Sequence, residues 1–342
     1  MSIPSTFRIP FGTEPSMEDH EYEKTLLAIV LDRYKDRLTT FPKEKGWISE
    51  NLFMYQGFWY PAGGIYSIES MMALQETFKA HPTDIYLVTL PKSGTTWMKA
   101  LMFALVNRTR YKNICLSTHP LLIFNPHKCL PFIELEIYRK SPTYVDEHQP
   151  RLFATHIPYT LLPQSILDSG CCLVYMCRNP KDVLVSLFHF TNKLRDKSRV
   201  IMTFEEAFEM FSNGVVPYGP HWDHVKGYYN ASVEHPTRIL FLTYENMEKD
   251  TVNNVKRLAE FLGCPFTKKE EAEGAVEEIV KICSFKNLRE VNKHGSLHEG
   301  VPNHTFFRKG KVGDWSNHLT TEMSHILDRI VNEKFEGLDI SF

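Results

Sequence analysis

Between Glu21 and Arg37 apolar residues recur at helical spacing (Leu26, Leu27, Ile29, Val30, Tyr34), and the same period returns from Ile68 to Ala80. The pattern then changes. Asp84 to Leu90 is a near-continuous apolar and β-branched run closed by Pro91, as expected of a strand covered on both faces. A glycine-bearing turn, Pro91 to Trp97, leads into a helical stretch reaching about Asn107. That order recurs. Cys171 to Cys177 precedes a helical run from Val183 to Leu194, and Arg238 to Tyr244 precedes one that reaches Leu262. Leu152 to His156 is a shorter candidate strand. Strands alternating with helices predict an α/β fold, a parallel sheet with helices on both faces. Residues 1–20, polar and broken by Pro4, Pro10 and Pro15, predict a loose tail before one domain spanning 21–342. Residues 286–310 predict a long loop of the lid-forming kind, and Glu322 to Lys334 an amphipathic helix.

Composition narrows the class. With 342 residues, 43% hydrophobic and 23% charged, the chain can bury a large core without disulfides or metal. Lys+Arg (39) nearly balances Asp+Glu (41), so no global field draws the chain to nucleic acid or an anionic membrane. The 7 Cys form no C-x-x-C pair and no zinc-like spacing, which predicts reduced, structural thiols, a cytoplasmic compartment and no metal site. No apolar stretch is long enough to span a bilayer, and the N-terminus lacks the apolar core of a secretory signal.

Three segments carry anion chemistry. In Pro91-Lys-Ser-Gly-Thr-Thr-Trp97, Gly94 permits close backbone approach, Lys92 adds a full charge, and Ser93, Thr95 and Thr96 add hydroxyls at a helix start. A phosphate-binding kinase loop of the usual type needs its lysine after the second glycine, whereas Lys92 precedes the only one. Arg178-Asn-Pro-Lys-Asp182 follows another predicted strand, where parallel sheets place ligands, with Ser186 two turns on. Phe306 to Trp315 holds Arg308, Lys309 and Gly310. Each segment also reads as an ordinary helix cap or a solvated basic turn when taken alone.

Taken together, the three resemble the cytosolic sulfotransferases. Pro91 to Trp97 is similar to the family's 5′-phosphosulfate loop, Tyr175 to Ser186 to its 3′-phosphate motif, and Arg308 to Trp315 to its C-terminal motif R-K-G-x-x-G-D-W. The resemblance extends from about Phe41 to the C-terminus. Lys43-Glu-Lys-Gly-Trp47 and Asn125-Pro-His127 resemble the plant branch, whose acceptors include flavonols, desulfoglucosinolates, hydroxyjasmonate and steroids.

The resemblance implies a single α/β domain related to the P-loop nucleotide kinases. It implies 3′-phosphoadenosine 5′-phosphosulfate (PAPS) as donor and adenosine 3′,5′-bisphosphate (PAP) as product. It implies that Lys92, Ser93, Gly94, Thr95, Thr96 and Trp97 hold the 5′ end, and that Trp97 and Phe285 sandwich the adenine. Tyr244 would contact the base, while Arg178, Ser186, Arg308, Lys309 and Gly310 would hold the 3′-phosphate. Thr155-His-Ile-Pro158 is similar to the family's catalytic-base context, so His156 is the expected base, although spacing alone would not select it among 15 His. Lys92 would stabilise the leaving phosphate, and Ser186 could bond Lys92 when no acceptor is present.

Three departures follow from the same comparison. Ala154 stands where many animal members carry a lysine, and Cys283 stands where they carry an adenine-contacting threonine. Ser316, Thr321 and His325 replace the animal dimer motif, which predicts a monomer. Aromatic residues make up 13% of the chain. Phe58, Trp59, Tyr159, Phe188 and Phe190 are candidates to line a pocket for a flat hydroxylated acceptor, each with core packing as its alternative. A P-loop kinase and a non-catalytic nucleotide- or hormone-binding protein are the rival readings.

Overall fold

The computed structural model describes residues 17–111, 119–138, 150–195, 200–298 and 301–342. Its centre is a four-stranded parallel sheet. After three antiparallel strands near the N-terminus, Lys43–Lys45 (β1), Asn51–Tyr55 (β2) and Phe58–Pro61 (β3), come Ile85–Thr89 (β4), Leu152–Thr155 (β5), Cys172–Cys177 (β6) and Ile239–Thr243 (β7). The sheet runs in the order β5-β4-β6-β7, with Val88 opposite both Thr155 and Tyr175.

Alternation along each strand feeds two cores. On one side Ile85 and Leu87, Leu152 and Ala154, Val174 and Met176, and Leu240 and Leu242 pack on the Thr95–Asn107 and Thr251–Phe261 helices. On the other, Tyr86 and Val88, Phe153, Tyr175 and Ile239 meet Met71, Leu74, Val225 and Tyr228 from the Ile68–Thr77 and His221–Glu234 helices. All five residues of β4 are buried, so its apolar run reflects cover on both faces. Every strand of this sheet ends toward the same side, and the turns there build the site.

The predicted strands agree with the observed ones to within a residue at each end. Helix starts are set by local capping. Pro180 occupies the first turn of the Pro180–Leu194 helix, and the Asn179 side chain accepts from the Lys181 N–H at 2.9 Å. The run expected to continue to Leu262 is two helices, Tyr244–Lys249 and Thr251–Phe261, separated at Asp250.

Two expectations need correction. The first helix begins at Met17, before the tail was expected to end; residues 1–16 lie outside the described residues. The stretch 286–310 is not one loop. The Phe285–Val291 helix, a short hairpin of Ser296–His298 (β8) with Val301–Pro302 (β9), and a 3-10 turn Asn303–Phe306 occupy its described part. The β2–β3 hairpin was not foreseen. Its two-residue turn is Gln56-Gly57, both at positive φ (48° and 89°), in place of the commoner Asn-Gly. Six cysteines are free, and Cys115 lies outside the described residues.

Candidate active site

The first half of the site is the turn after β4. Lys92 takes a left-handed backbone, φ 72°, and Gly94 follows at φ 99° as the N-cap of the Thr95–Asn107 helix. No side chain caps that helix, which leaves its first N–H groups for an anion. Gly94 is required on two counts. Its φ is costly for any residue with a Cβ, and a Cβ there would lie 2.5 Å from the Met176 Cε and 2.7 Å from the Tyr244 ring.

The Lys92 ammonium rests 3.8 Å above the centre of the Phe190 ring. Removal from water, with the charges of Arg178, Arg308 and Lys193 acting the same way, brings its pKa down to about 7. The Lys92–Ser186 bond allowed by the resemblance is not formed. Ser186 lies buried one turn before Phe190 on the same helix.

Two further segments converge on this turn. Arg178, at the end of β6, donates to the Lys311 carbonyl at 2.7 Å and lies 4.4 Å from the Tyr244 ring centre. Asp182, fully buried one helical turn on, accepts the Gly313 and Trp315 N–H groups at 2.8 and 3.0 Å and sits 3.4 Å from Arg178. Asp182 thus ties the C-terminal motif to the 3′-phosphate motif. Nothing in its own string signals this role, because both N–H partners lie more than 130 residues away.

Asp314 then holds Arg308 and Lys309, each at 2.5 Å. Gly310, at φ 62°, packs so closely on Phe285 that a Cβ would meet the ring at 2.3 Å. Trp97 meets Tyr244 edge-on at 5.3 Å. Among the described residues of the three motifs, three buried donors remain without a protein partner: the Ser93 hydroxyl, the Arg178 Nε and the Arg308 Nε, one from each motif. Buried donors are normally paired, so this set fits a polyanion carrying two phosphate groups. Cys283 does not join them. It is buried in the core beside the Thr95–Asn107 helix, so an adenine contact at this position falls to its backbone or to a weak thiol bond rather than to a threonine-like hydroxyl.

His156 forms the second half of the site. It follows β5, and its Nδ1 lies 2.6 Å from the Thr89 carbonyl at the end of β4. A carbonyl only accepts, so Nδ1 carries the proton and Nε2 keeps a free lone pair. Thr89 in turn meets Thr95 Oγ1 through its hydroxyl at 2.7 Å, so the imidazole and the anion-binding helix share one anchor. Burial, reinforced by the nearby Lys99, His224 and Lys92 side chains, pulls the His156 pKa down to about 3 against the bond to Thr89.

Between the two halves runs a wall of rings. Phe190 meets Phe306 (5.7 Å), Phe306 meets His127 (4.6 Å), and His127 stacks on Phe132 (5.7 Å). Phe132 reaches His156 at 4.8 Å, and Tyr218 closes on its other side at 5.3 Å. Tyr66 meets Phe132 at 5.4 Å. His127 also meets the Thr96 hydroxyl at 3.0 Å.

Of the five candidate lining residues, Phe190 stands in this wall. Phe58, on β3, has its ring 6.5 Å from His224. Packing accounts for the other three. Trp59 belongs to a core with Trp47 and Leu184, Tyr159 meets Tyr228, and Phe188 meets Phe204. Phe132, Tyr218 and Phe306 were missed. They come from three segments far apart in the chain, and the only local signal, Tyr218 at φ 65°, is invisible in sequence.

Lys99 lies beneath Phe132. It is 0% exposed, and its ammonium sits 3.4 Å over the ring centre with no hydrogen-bond partner. Glu134, also buried, accepts from Thr155 Oγ1 at 2.9 Å, and burial pushes its pKa up to about 7.

An uncapped helix start crowded with cations, facing an imidazole with a bare nitrogen, is the equipment of an enzyme that moves an anionic group onto a nucleophile. Comparison with known proteins specifies the group. The sulfotransferase domain family model matches residues 82–339. "Cytosolic sulfotransferase 5" of Arabidopsis thaliana is 42% identical over 313 residues, 90% of this chain and 96% of its own. "Flavonol 4′-sulfotransferase" of Flaveria chlorifolia is 46% identical over 293 residues, 84% of this chain and 88% of its own. Among solved structures, an Arabidopsis thaliana sulphotransferase superposes with TM-score 0.70 at 40% identity, covering 90% of this chain and 94% of that one. A mouse sulfotransferase complexed with PAP gives 0.61 at 26% identity, covering 84% and 95%. The chain therefore belongs to the sulfotransferase family and is an enzyme of that class.

Proposed function

We propose that this sulfotransferase, a plant cytosolic member with residues 21–342 as its domain, moves a sulfuryl group from PAPS to a hydroxyl of a small aromatic acceptor. The cytosolic names of its relatives and their 42–46% identity support the compartment and the branch. Support for the donor comes from the mouse relative's bound PAP and from the three unpaired buried donors spread over the three motifs. The observation that carries the chemistry is the His156 imidazole, its Nδ1 proton committed to Thr89 and its Nε2 free beside a wall of rings.

When bound, the donor supplies the sulfuryl group, whose S–O bond to the 5′-phosphate breaks as the acceptor oxygen bonds to sulfur. His156 Nε2 takes the acceptor's hydroxyl proton. Burial and cationic neighbours hold its pKa at about 3 in the free protein, and the negative charge of the bound donor opposes them. A positioned base with a pKa nearer the working pH is worth about 10² to 10⁴ in rate. Lys92 and the uncapped N–H groups behind Gly94 meet the negative charge that gathers on the 5′-phosphate. Arg178, Ser186, Arg308, Lys309 and Gly310 hold the 3′-phosphate, while Trp97, Tyr244 and Phe285 flank the base. Phe132, Tyr218, Phe306 and Phe190 present flat apolar faces and few polar groups, which suits a planar phenol better than a flexible polar acceptor. Flavonols fit this description, in keeping with the name of the Flaveria relative.

The test is transfer of labelled sulfate from PAPS to a panel of flavonoids, steroids, hydroxyjasmonate and desulfoglucosinolates, with and without EDTA. Labelled product from planar phenols, unchanged by the chelator, is expected. Absence of transfer to every hydroxylated acceptor by protein that binds PAP would overturn the proposal, as would abolition of turnover by EDTA.

A further inference from the structure

Past Thr155 the chain leaves β5, and the carbonyls of His156 and Ile157 have no ladder partner. Side chains take them up. His224 Nε2 lies 3.0 Å from the His156 carbonyl, and the Tyr228 hydroxyl donates to the Ile157 carbonyl at 2.8 Å. The His156 carbonyl can only accept, so His224 carries its proton on Nε2. Its Nδ1 is then an acceptor, and the Tyr175 hydroxyl, 2.9 Å away, donates to it. The order is therefore Tyr175 Oη–H to His224 Nδ1, then His224 Nε2–H to the His156 carbonyl.

The ring planes are fixed as well. Tyr175 stacks on Tyr228 at 4.4 Å and 8°, and on His224 at 5.6 Å and 29°. Tyr175 is on β6, whereas His224 and Tyr228 are one turn apart on the His221–Glu234 helix. All three are buried, and burial brings His224 down to about 4, so it remains a neutral donor and acceptor across the working range.

We propose that His224, oriented by Tyr175, is a positioning residue for the transfer reaction: it clamps the backbone of the catalytic base through a bond separate from the one Thr89 makes to its ring. The imidazole of His156 is then held twice, through Nδ1 by the end of β4 and through its carbonyl by the His221–Glu234 helix. A base held on one side only could rotate its peptide and carry Nε2 away from the acceptor, and misplacement of about 1 Å costs on the order of 10²-fold in rate. Stability alone also favours a polar group here, so the two roles are separated by kcat at unchanged PAP affinity. An apolar side chain of similar volume would fill the space, but would leave the His156 carbonyl and the Tyr175 hydroxyl unpaired.

This inference rests on His156 as the base. His224→Leu and His224→Gln are compared with the unchanged enzyme for kcat, acceptor KM and PAP Kd. His224→Leu is expected to lower kcat at least 10-fold with PAP Kd and acceptor KM within threefold. His224→Gln, whose amide N–H can donate to the same carbonyl, should recover most of the loss. Unchanged kcat in folded His224→Leu would overturn the inference, as would equal losses in the two variants. Should His224→Leu fail to fold, Tyr175→Phe removes the orienting bond and keeps the stack. A two- to fivefold fall in kcat alone is then expected, and no fall would overturn the inference. Activity surviving in His156→Ala refutes the base itself, whereas an inactive His156→Ala beside a fully active His224→Leu refutes only the clamp.

Discussion

The lowered pKa of Lys92 makes donor-site affinity a steep function of pH. With its ammonium surrounded by Arg178, Arg308 and Lys193 and partly removed from water, Lys92 titrates near 7 in the free protein. A bound 5′-phosphate group places negative charge beside it and raises its pKa, so binding takes up a proton. For a group raised on binding, the contribution is complete below the free pKa and disappears as pH rises through the bound one. Between those limits the dissociation constant grows tenfold per pH unit. From pH 7, where half of the free lysine is charged, to pH 9, PAP should bind about 50-fold more weakly, provided the bound pKa stays above 9. Glu134 also titrates at about 7, and the comparison with Lys92→Met separates its contribution; the remaining groups add little in that window. His156 titrates far below it at about 3, Tyr244 is raised above its ordinary value by burial, and a phosphate monoester is fully ionised above pH 7. Calorimetric titration of PAP at pH 7 and pH 9, at equal ionic strength, reads the effect. Lys92→Met should bind more weakly at pH 7 and lose most of the slope. A flat profile in the unchanged protein, or the same slope in Lys92→Met, would refute the reasoning.

Further expectations concern stability and function together. Gly94→Ala combines a left-handed φ with two contacts under 3 Å, and should cost about 2–5 kcal/mol in urea unfolding and abolish PAP binding. Ser93→Ala removes a buried hydroxyl that has no protein partner, so it should leave Tm unchanged or raised while weakening PAP by about 3- to 30-fold. Lys99→Met removes a buried amine that has no hydrogen-bond partner and whose pKa burial pushes well down, and should raise Tm by several degrees; a fall in Tm would mean that its contact with the Phe132 ring outweighs its desolvation. Asp314 is held well below the usual carboxylate range by Lys309 and Arg308 despite burial, so its stabilisation is present above about pH 4 and lost as pH falls further. Asp314→Asn should therefore flatten the acid limb of a Tm-against-pH curve.

The two halves of the site differ in how far the sequence reveals them. The anion cradle is local. Strand, turn and helix are contiguous from Ile85 to Asn107, and both the glycine and the cation stand inside one short string, so periodicity and motif find them together. The cation cluster becomes visible only when the strings are taken together: Asp182 joins the 3′-phosphate motif to the C-terminal one through contacts 131 and 133 residues apart, while Asp314 orders Arg308 and Lys309 within the latter. The aromatic wall is not local at all. Phe132, Tyr218 and Phe306 meet only through the folded chain, and each reads in sequence like any core aromatic. Phe188 and Trp59 take the core-packing alternative, since position near Ser186 or near the N-terminus says nothing about which face of an element they occupy. Cys283 stands at a threonine position of the family resemblance, and its place at the C-cap of the Ala275–Ile282 helix, where the thiol is buried in the core, is not legible in that match.

The central claim is that His156 takes the proton while the cradle around Lys92 holds the donor, two tasks assigned to separate side chains. Sulfate transfer and PAP binding measured on one preparation of His156→Ala test it directly. The account predicts turnover reduced at least 10²-fold with a PAP dissociation constant within threefold of the unchanged enzyme. Undiminished transfer, or loss of PAP binding in a folded variant, would contradict it.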